Sequence, residues 1–395
     1  MMISPETAAC RADAADAADA ADTGGSFAFR GPHGTLRADG PTRAVESGTG
    51  DSLPARIAHA FAGAGPSAVI GGALPFARHQ TDCLWLAPAC RHDLPVAASP
   101  SDRPSPQRWR ADPAPRVYAG SVEQALRIMR AEATQPEGLR KIVLARTLAI
   151  EANGPIPQQA LMDRLADDPV VTAFRVALPQ PDRALIGATP ELLVEKTGSK
   201  ILSFPLAGSA RRNPDPIKDA DACAALARSE KDRREHAMVV EFILDTLAPW
   251  CSHLGAPEGT GLTSTRSMWH LGTRIEGRLS DPDTPSVLLA AALHPTPAVC
   301  GLPCSRAAAL IGELEPVARD FYAGAVGWCR PDGDGAWFVA IRCADVCGAE
   351  ARLYAGAGIV PGSDPDSETE ETASKFAALL RAFGLPADAA RYPTD

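Results

Sequence analysis

Short apolar runs recur along the chain from residue 141 onward and predict a β-rich core. They cover residues 141–150, 183–187, 191–195, 200–206, 323–329, 336–343 and 351–360. An earlier run, residues 68–76, is typical of a buried strand with a glycine bend, and residues 332–335 predict a hairpin turn. Strands joined by hairpins pair antiparallel, so we expect an α+β fold and not a doubly wound one.

Three segments have the apolar spacing of helices. Residues 121–133 carry apolar side chains at helical intervals. A second helix is predicted to begin near Ser229, with Asp232 at its third position. A C-terminal helix is predicted to begin at an S-x-x-E capping box formed by Ser367 and Glu370, and to end at Gly384.

Composition and charge exclude several classes of protein. The 395 residues are 45% hydrophobic and carry a formal net charge of -9, which argues against binding to nucleic acid or to an acidic membrane surface. No apolar run approaches the roughly 20 residues of a membrane span. Residues 12–22, ADAADAADAAD, do not resemble a secretion signal. We therefore expect a cytoplasmic protein.

Two polar stretches and the cysteines complete this picture. Residues 1–24 are predicted to be a disordered Ala/Asp leader, and the Pro-rich residues 96–117 a surface connection. Ten cysteines include no C-x-x-C pair, so a zinc ribbon is not expected. Most of them are predicted to be buried, reduced thiols.

Acidic residues on two of the predicted helices are candidate metal ligands. Glu368, Glu371 and Lys375 share one stripe of the C-terminal helix, although a solvated charged face would show the same spacing. Glu235 shares a face with apolar residues, where a carboxylate needs either an arginine partner or a metal ion. Carboxylates without a histidine or cysteine cluster favour a hard ion such as Mg²⁺.

Other charged residues lie among apolar ones. Arg342 is predicted to lie within an apolar strand over residues 337–344, paired either with a buried acid or with a substrate carboxylate. Glu191 and Lys141 adjoin apolar runs, and burial would favour their neutral forms, the states that a general acid and a general base need. Both could equally be ordinary charges at strand ends.

Together these segments resemble the chorismate-utilising enzyme family, most closely its isochorismate-forming members of siderophore pathways. The similar runs are KIVLART (141–147), IGATPELL (186–193), PLAGSARR (205–212), SEKDRREH (229–236), MWHLGT (268–273), LHPTPAVCGLP (293–303), GELEPVARDFYAGAVGW (312–328), IRCA (341–344) and AGAGIVPGSDPDSETEETASK (355–375). The run VIGGALPF (69–76) extends the likeness upstream.

The resemblance implies a fold and a set of site residues. The fold would be a single domain over residues 25–395, with a motif-rich core at 141–386 and two large antiparallel sheets packed face to face with helices outside. Lys141 would be the general base and Glu191 the general acid. Glu235 and Glu371 would bind Mg²⁺, with Glu368 beside them. The substrate-binding positions would be Gly208, Ser209, His270, Ala298, Arg342, Gly356 and Lys375.

The implied reaction is the Mg²⁺-dependent isomerisation of chorismate to isochorismate, in which water attacks C2 and the C4 hydroxyl leaves. Lys141, Ala207 and Ala298 differ from the residues of ammonia-using relatives, so no glutamine amidotransferase subunit is expected. The resemblance also implies that the chain is a monomer. One alternative is a bifunctional salicylate synthase that also eliminates pyruvate. Another is an inactive homologue that serves as a binding or scaffold protein.

Overall fold

The computed structural model describes residues 25–32, 34–92 and 104–391. The predicted leader and residues 96–103 of the predicted connection lie outside the described residues. The α-helices are α1 (Leu53–Phe61), α2 (Pro115–Ala131), α3 (Gln158–Leu165), α4 (Pro216–Arg228), α5 (Glu230–Leu247), α6 (Ser286–Leu293), α7 (Cys304–Leu314) and α8 (Pro365–Ala382).

The strands fall in two long stretches. The first eleven are β1 (Phe27–Gly31), β2 (Gly34–Asp39), β3 (Arg43–Ala44), β4 (Val69–Leu74), β5 (Cys83–Ala87), β6 (Ala89–Arg91), β7 (Pro106–Asp112), β8 (Lys141–Ala152), β9 (Thr172–Ala177), β10 (Arg183–Thr189) and β11 (Leu192–Thr197). The others are β12 (Lys200–Phe204), β13 (Leu206–Arg211), β14 (Cys251–Gly255), β15 (Thr260–Ser264), β16 (Met268–Thr273), β17 (Ile275–Leu279), β18 (Gly301–Leu302), β19 (Ala325–Cys329), β20 (Gly335–Val339), β21 (Cys343–Cys347) and β22 (Glu350–Ile359).

Two large antiparallel sheets and one small sheet form from these strands. A ten-stranded sheet has the order β18-β8-β22-β21-β10-β9-β1-β2-β6, with β7 also paired to β8. A nine-stranded sheet has the order β14-β17-β12-β11-β20-β19-β4-β5-β3, and β13, β16 and β15 form the small sheet. The expectation of an α+β fold built on two large antiparallel sheets is confirmed.

The main hydrophobic core lies between the two large sheets. Phe27 of β1 packs so closely on β4 that a Cβ at Gly71 would lie 2.6 Å from its ring, which explains the glycine bend in that buried strand. On its other face the ten-stranded sheet is covered by α3 and α8, through residues such as Leu161 and Phe376. The two faces of this sheet therefore bury separate apolar clusters, and α8 is fixed against one of them.

The region predicted as a polar connection is more regular than expected. Residues 106–112 form β7, which pairs with β8, and α2 begins at Pro115 and not at residue 121. Proline suits the first helical turn because its missing N–H is not needed there, so Pro115 marks the start. The prediction of irregular structure up to residue 117 was wrong.

The two predicted helix caps have different outcomes. At α5 the prediction is confirmed, because the Ser229 hydroxyl accepts a hydrogen bond from the backbone N–H of Asp232 at 3.2 Å. At α8 the S-x-x-E prediction was wrong: Asp364 is the N-cap and accepts from the N–H of Ser367 at 2.9 Å. Pro365 then occupies the first helical position, so Ser367 already lies inside the first turn.

Arg342 does not lie within a strand, which corrects the prediction of a continuous strand over residues 337–344. The chain leaves the nine-stranded sheet at the end of β20 and joins the ten-stranded sheet at β21. Arg342 lies in this crossing with a φ of 52°, a left-handed conformation that is uncommon for a residue other than glycine. Such backbone strain is often found at functional sites.

The described cysteines and helices bear on two further expectations. All nine described cysteines are free, but only four of them are buried, so the prediction that most are buried was wrong. Cys347, for example, is exposed at the end of β21. Within the described residues, none of the helices combines the length and apolar character needed to cross a membrane.

Candidate active site

A cavity brings together ten of the twelve predicted site residues. Its lining includes Glu191, Gly208, Ser209, Glu235, His270, Ala298, Arg342, Gly356, Glu371 and Lys375. These side chains come from the small sheet, from α5 and α8, from β22 and from the crossings between the two large sheets. Residues separated by up to about 180 positions in sequence therefore converge on one site.

Lys141 lies behind the cavity lining, against Glu235. Its Nζ is 2.9 Å from Glu235 Oε1, and the lysine side chain is fully buried. The contact is an ion pair whose angles do not make a hydrogen bond, so within the described residues the ammonium has no hydrogen-bond partner. The arginine partners considered for Glu235 are thus replaced by a lysine from β8.

Gly358 provides the space for this ion pair. A Cβ at this position of β22 would lie 2.2 Å from Glu235 Oε1, closer than nonbonded atoms approach. The glycine therefore lets the Glu235 carboxylate lie against the strand backbone. The group in contact with this strand is thus a side chain of α5.

Glu371 and Lys375 form a second lysine–carboxylate pair, one turn apart on α8. Lys375 Nζ lies 2.6 Å from Glu371 Oε1 and also donates to the backbone oxygen of Gly356 at 2.8 Å. The Ser209 hydroxyl donates to the same carboxylate at 3.2 Å. Burial would raise the pKa of Glu371, but the charge of Lys375 and these hydrogen bonds hold it below its ordinary value.

Glu368 does not line the cavity and is paired with Lys231. The distance from Lys231 Nζ to Glu368 Oε1 is 2.7 Å, and Glu368 is almost fully buried. Burial raises the pKa of Glu368, and the neighbouring charge of Glu371 raises it further. Burial likewise raises the pKa of Asp232, with added repulsion from Glu235 and Glu371.

The carboxylates at this end of the cavity have the chemistry of a hard-ion site. The charges of Glu235 and Glu371 raise the pKa of Asp232, the charge of Glu371 raises that of Glu368, and a divalent cation would relieve this repulsion. Oxygens of Glu235, Glu368 and Glu371 contact lysines, and among residues 25–32, 34–92 and 104–391 no group of three or more His, Cys, Asp or Glu side chains is arranged to hold an ion. The donor type fits Mg²⁺, which commonly keeps several waters and takes only one or two carboxylates.

Glu191 is a carboxyl group in a different environment. It lies between β10 and β11 and is 3% exposed. Burial raises its pKa to about 7. A backbone hydrogen bond from Leu206 and the charges of Lys141, Lys375 and Arg342 act in the opposite direction, because they stabilise the carboxylate. A group with this pKa can be protonated and can donate its proton near neutral pH.

His270 is a neutral histidine that lines the same cavity as Glu191. Burial and the nearby charges of Arg342 and Lys375 lower its pKa to about 3. Its Nε2 is buried without a hydrogen-bond partner among the described residues. The ring therefore offers an uncharged polar atom to whatever occupies the cavity.

A buried ion pair holds another wall of the cavity. Arg319 donates to the backbone oxygens of Val143 and Val299, both at 2.7 Å, and is paired with Glu315. Glu315 in turn accepts from the N–H of Ala145 at 2.7 Å. The strand that carries Lys141 and the segment that carries Ala298 are thereby joined.

Twelve lining residues were not among the predicted site residues, and they include Lys231, Asp232, Tyr322 and Gly358. Asp232 was interpreted only as a helix-capping position, although it lies three residues before Glu235 and so on the same face of α5. Lys231 pairs with Glu368 across a separation of 137 residues, which no local spacing could reveal.

Comparisons with known proteins show which family the chain resembles. Residues 89–384 match the family model described as chorismate binding enzyme. The isochorismate synthase DhbC of Bacillus subtilis is 39% identical over 379 residues, covering 91% of this chain and 94% of that protein. The isochorismate synthase EntC of Escherichia coli K12 is 38% identical over 341 residues, covering 84% and 85%. The crystal structure of a protein assigned as a 2,3-dihydroxybenzoate-specific isochorismate synthase, DhbC, from Bacillus anthracis has a TM-score of 0.85 at 37% identity, covering 93% of this chain and 98% of that one.

Proposed function

The chain belongs to the chorismate-binding enzyme family, and from this premise we propose that it is an isochorismate synthase, an isomerase that converts chorismate to isochorismate. The observation that carries the proposal is the cavity itself. It holds the buried carboxyl group of Glu191 with a pKa of about 7, the neutral histidine His270, and two carboxylates that are paired with lysines. Proton transfer to and from a bound anion needs such a set of groups.

The proposed roles follow from charge and burial. Arg342 and Lys375 would bind the enolpyruvyl carboxylate of the substrate, which enters as a dianion although the protein carries a net charge of -9. Ser209 and the backbone at Gly208 and Gly356 would also contact the substrate. Ala298 and His270 would lie beside its ring.

Two residues would move protons. Water attacks C2 of the ring and gives a proton to the neutral amine of Lys141, while Glu191 donates its proton to the departing C4 hydroxyl, which leaves as water. The ring double bonds shift between these events, and no covalent bond to the protein forms. Only the neutral amine of Lys141 can accept this proton, and its Nζ lies 2.9 Å from Glu235 Oε1.

We also propose that the carboxylate end of the cavity binds Mg²⁺ through Glu235 and Glu371, with Glu368 beside them. When bound, the ion would supply positive charge that anchors a carboxylate of the substrate. Glu235→Gln should weaken Mg²⁺ binding by at least about 10-fold, measured by calorimetry without substrate. Glu195→Gln, on β11, is the control. Unchanged affinity in Glu235→Gln would remove Glu235 from the ligand set.

The pathway and cellular setting belong to the same proposal. The names of two relatives connect similar chains with 2,3-dihydroxybenzoate and with isochorismate synthesis, and we infer a siderophore pathway for this chain. We further propose a cytoplasmic monomer that acts without a glutamine amidotransferase subunit. Gel filtration with light scattering would test the monomeric state, and a dimer would contradict it.

One experiment tests the activity. Purified protein is incubated with chorismate, with and without Mg²⁺, the products are separated by chromatography, and pyruvate is assayed in parallel. A mixture of chorismate and isochorismate that requires Mg²⁺ and contains no pyruvate is the expected result. Salicylate with stoichiometric pyruvate would instead identify a bifunctional salicylate synthase. Absence of turnover would favour an inactive homologue.

A further inference from the structure

A second cavity of about 270 Å³ adjoins the catalytic one. It lies between the end of α3, the segment that follows it, residues 265–267 before β16, and the C-terminal half of α8. Pro190, His270 and Arg342 border both cavities. No role in the proposed reaction is assigned to the rest of this space.

The floor of the second cavity is apolar. Leu165, Val171, Ala188 and Ala382 line it, and all four belong to the cluster buried between the ten-stranded sheet and its covering helices. Small side chains such as the two alanines leave a flat surface that is suited to one face of a ring. The cavity is therefore not simply a hydrated groove between charged residues.

The rim is cationic and unpaired. Arg164, Arg266 and Arg381 line the cavity, and within the part of the chain that the structure describes none of their guanidinium groups forms an ion pair. The Nε of Arg164 is buried and lacks a hydrogen-bond partner there. Burial of an unsatisfied donor is costly, so an anion that accepted from it would be bound favourably.

The two acids beside this rim do not neutralise it. Asp168 accepts hydrogen bonds from the backbone N–H groups of Arg266 at 2.7 Å and Val170 at 3.3 Å. Asp167 and Asp168 carry two negative charges, against the four positive charges of the three unpaired arginines and Arg342. The local balance is therefore positive, in a protein whose net charge is -9.

We propose that this cavity is a second binding site, which takes a small ring-bearing carboxylate. The ring would lie on the apolar floor and the carboxylate would be bound by the rim arginines. Either a substrate-like cyclohexadiene acid or an aromatic acid from a later step has this chemistry. Because Arg342 and His270 also border the catalytic cavity, occupancy of the second site lowers turnover.

Calorimetry with 3-hydroxybenzoate as the probe tests the site. The wild type is compared with the double variant R266A/R381A, with Lys375→Ala in the catalytic cavity, and with a matched control, R116A/R130A, on the surface of α2. We expect at least about 10-fold weaker binding in R266A/R381A and unchanged binding in the other two, since two charge-assisted hydrogen bonds are lost. Binding that is lost in Lys375→Ala but kept in R266A/R381A would place the probe in the catalytic cavity and overturn the proposal, as would no binding to the wild type.

Two further measurements define the ligand class and the coupling. Acetate should compete with 3-hydroxybenzoate at least about 10-fold less well than benzoate does, since only benzoate covers the apolar floor; equal competition would overturn the ring requirement. In turnover assays 3-hydroxybenzoate should inhibit the wild type and the control but not R266A/R381A, and equal inhibition of all three would overturn the coupling. Calorimetry requires no turnover, so failure of the proposed activity is distinguishable from failure of the second site.

Discussion

Two glutamates of the catalytic cavity, Glu371 and Glu191, differ in how burial affects them. Glu371 keeps its negative charge, because Lys375 and Ser209 outweigh the cost of burial and lower its pKa. Glu191 forms no ion pair among the described residues, and burial raises its pKa to about 7 despite a backbone hydrogen bond from Leu206. Side-chain type alone thus says little about role; the balance between burial and the nearby charges and hydrogen-bond donors decides which glutamate stays ionised.

This difference separates two tasks. The lysine-paired carboxylates of Glu235 and Glu371 are suited to hold cations, whether lysines as in this structure or the proposed Mg²⁺. The protonated Glu191 is suited to give up a proton. An enzyme that must bind a dianion and also protonate its leaving group needs both environments within one cavity.

Removing the proton of Glu191 should have the largest effect. Glu191→Gln keeps the shape of the side chain but not the acid, and turnover of chorismate should fall about 10³-fold, within the usual range for a general acid. In the wild type, activity should decline as the pH rises through about 7, because Glu191 then ionises. Steady-state rates from pH 6 to 9 measure both effects.

The control for this experiment is Glu195→Gln, on the adjoining strand β11. It should leave both the rate and the pH profile unchanged. A Glu191→Gln enzyme that retained more than a tenth of the wild-type rate would remove Glu191 from the role of acid.

The same burial should appear as a pH-dependent cost in stability. The folded-state pKa of Glu191 lies above the unfolded value, so its contribution is favourable at low pH and is lost as the pH rises through about 7. Glu191→Gln removes an ionisation that the folded state disfavours. The difference in free energy of unfolding between Glu191→Gln and the wild type should therefore shift in favour of the variant by about 2 to 3 kcal/mol between pH 5 and pH 8.

Urea denaturation of both proteins at the two pH values measures this gain. Equal differences at pH 5 and pH 8 would mean that Glu191 is ionised as easily in the folded chain as in the unfolded one. The contrast with Glu371 would then disappear.

Filling the space beside Glu235 should disturb the contact between its carboxylate and Lys141. In Gly358→Ala the new Cβ would lie 2.2 Å from Glu235 Oε1, so the carboxylate or the strand must move. Such overpacking costs about 1 to 3 kcal/mol of unfolding free energy. Thermal denaturation and Mg²⁺ calorimetry should both show the loss.

Gly312→Ala is the matched control, because this glycine of α7 has open space around its would-be Cβ and alanine favours a helix. It should be neutral or slightly stabilising. If Gly358→Ala were as harmless, the ion pair of Lys141 and Glu235 would not depend on close contact with β22.

The sequence predicted the groups of the cavity better than their pairing. Short apolar runs predicted the strands, and the family resemblance implied which glutamates and lysines belong to one site. It could not predict that Lys141 contacts Glu235 or that Lys231 contacts Glu368, since those partners are 94 and 137 residues apart and meet only through the sheets and α8.

Arg342 shows the same limit for the backbone. Its neighbours Trp337 to Ala344 are apolar enough for one strand, yet the chain changes sheets there. Which sheet a strand joins depends also on distant partners, which are β11 for β20 and β10 for β21. Local apolar pattern carries no information about those partners.

The smallest expected effect concerns the N-terminal ends of α5 and α8, the helices that carry Glu235 and Glu371. Ser229 caps α5, which carries Glu235, so Ser229→Ala should lower the free energy of unfolding by about 1 kcal/mol. Ser367→Ala is the matched control: this exposed serine lies inside the first turn of α8, where alanine is tolerated and only the backbone N–H is used. Urea denaturation should therefore separate two serines that the sequence pattern made equivalent. An equal loss in both variants would mean that Ser367 stabilises α8 as the S-x-x-E pattern predicted, and that the helix of Glu371 begins differently from the arrangement around Asp364.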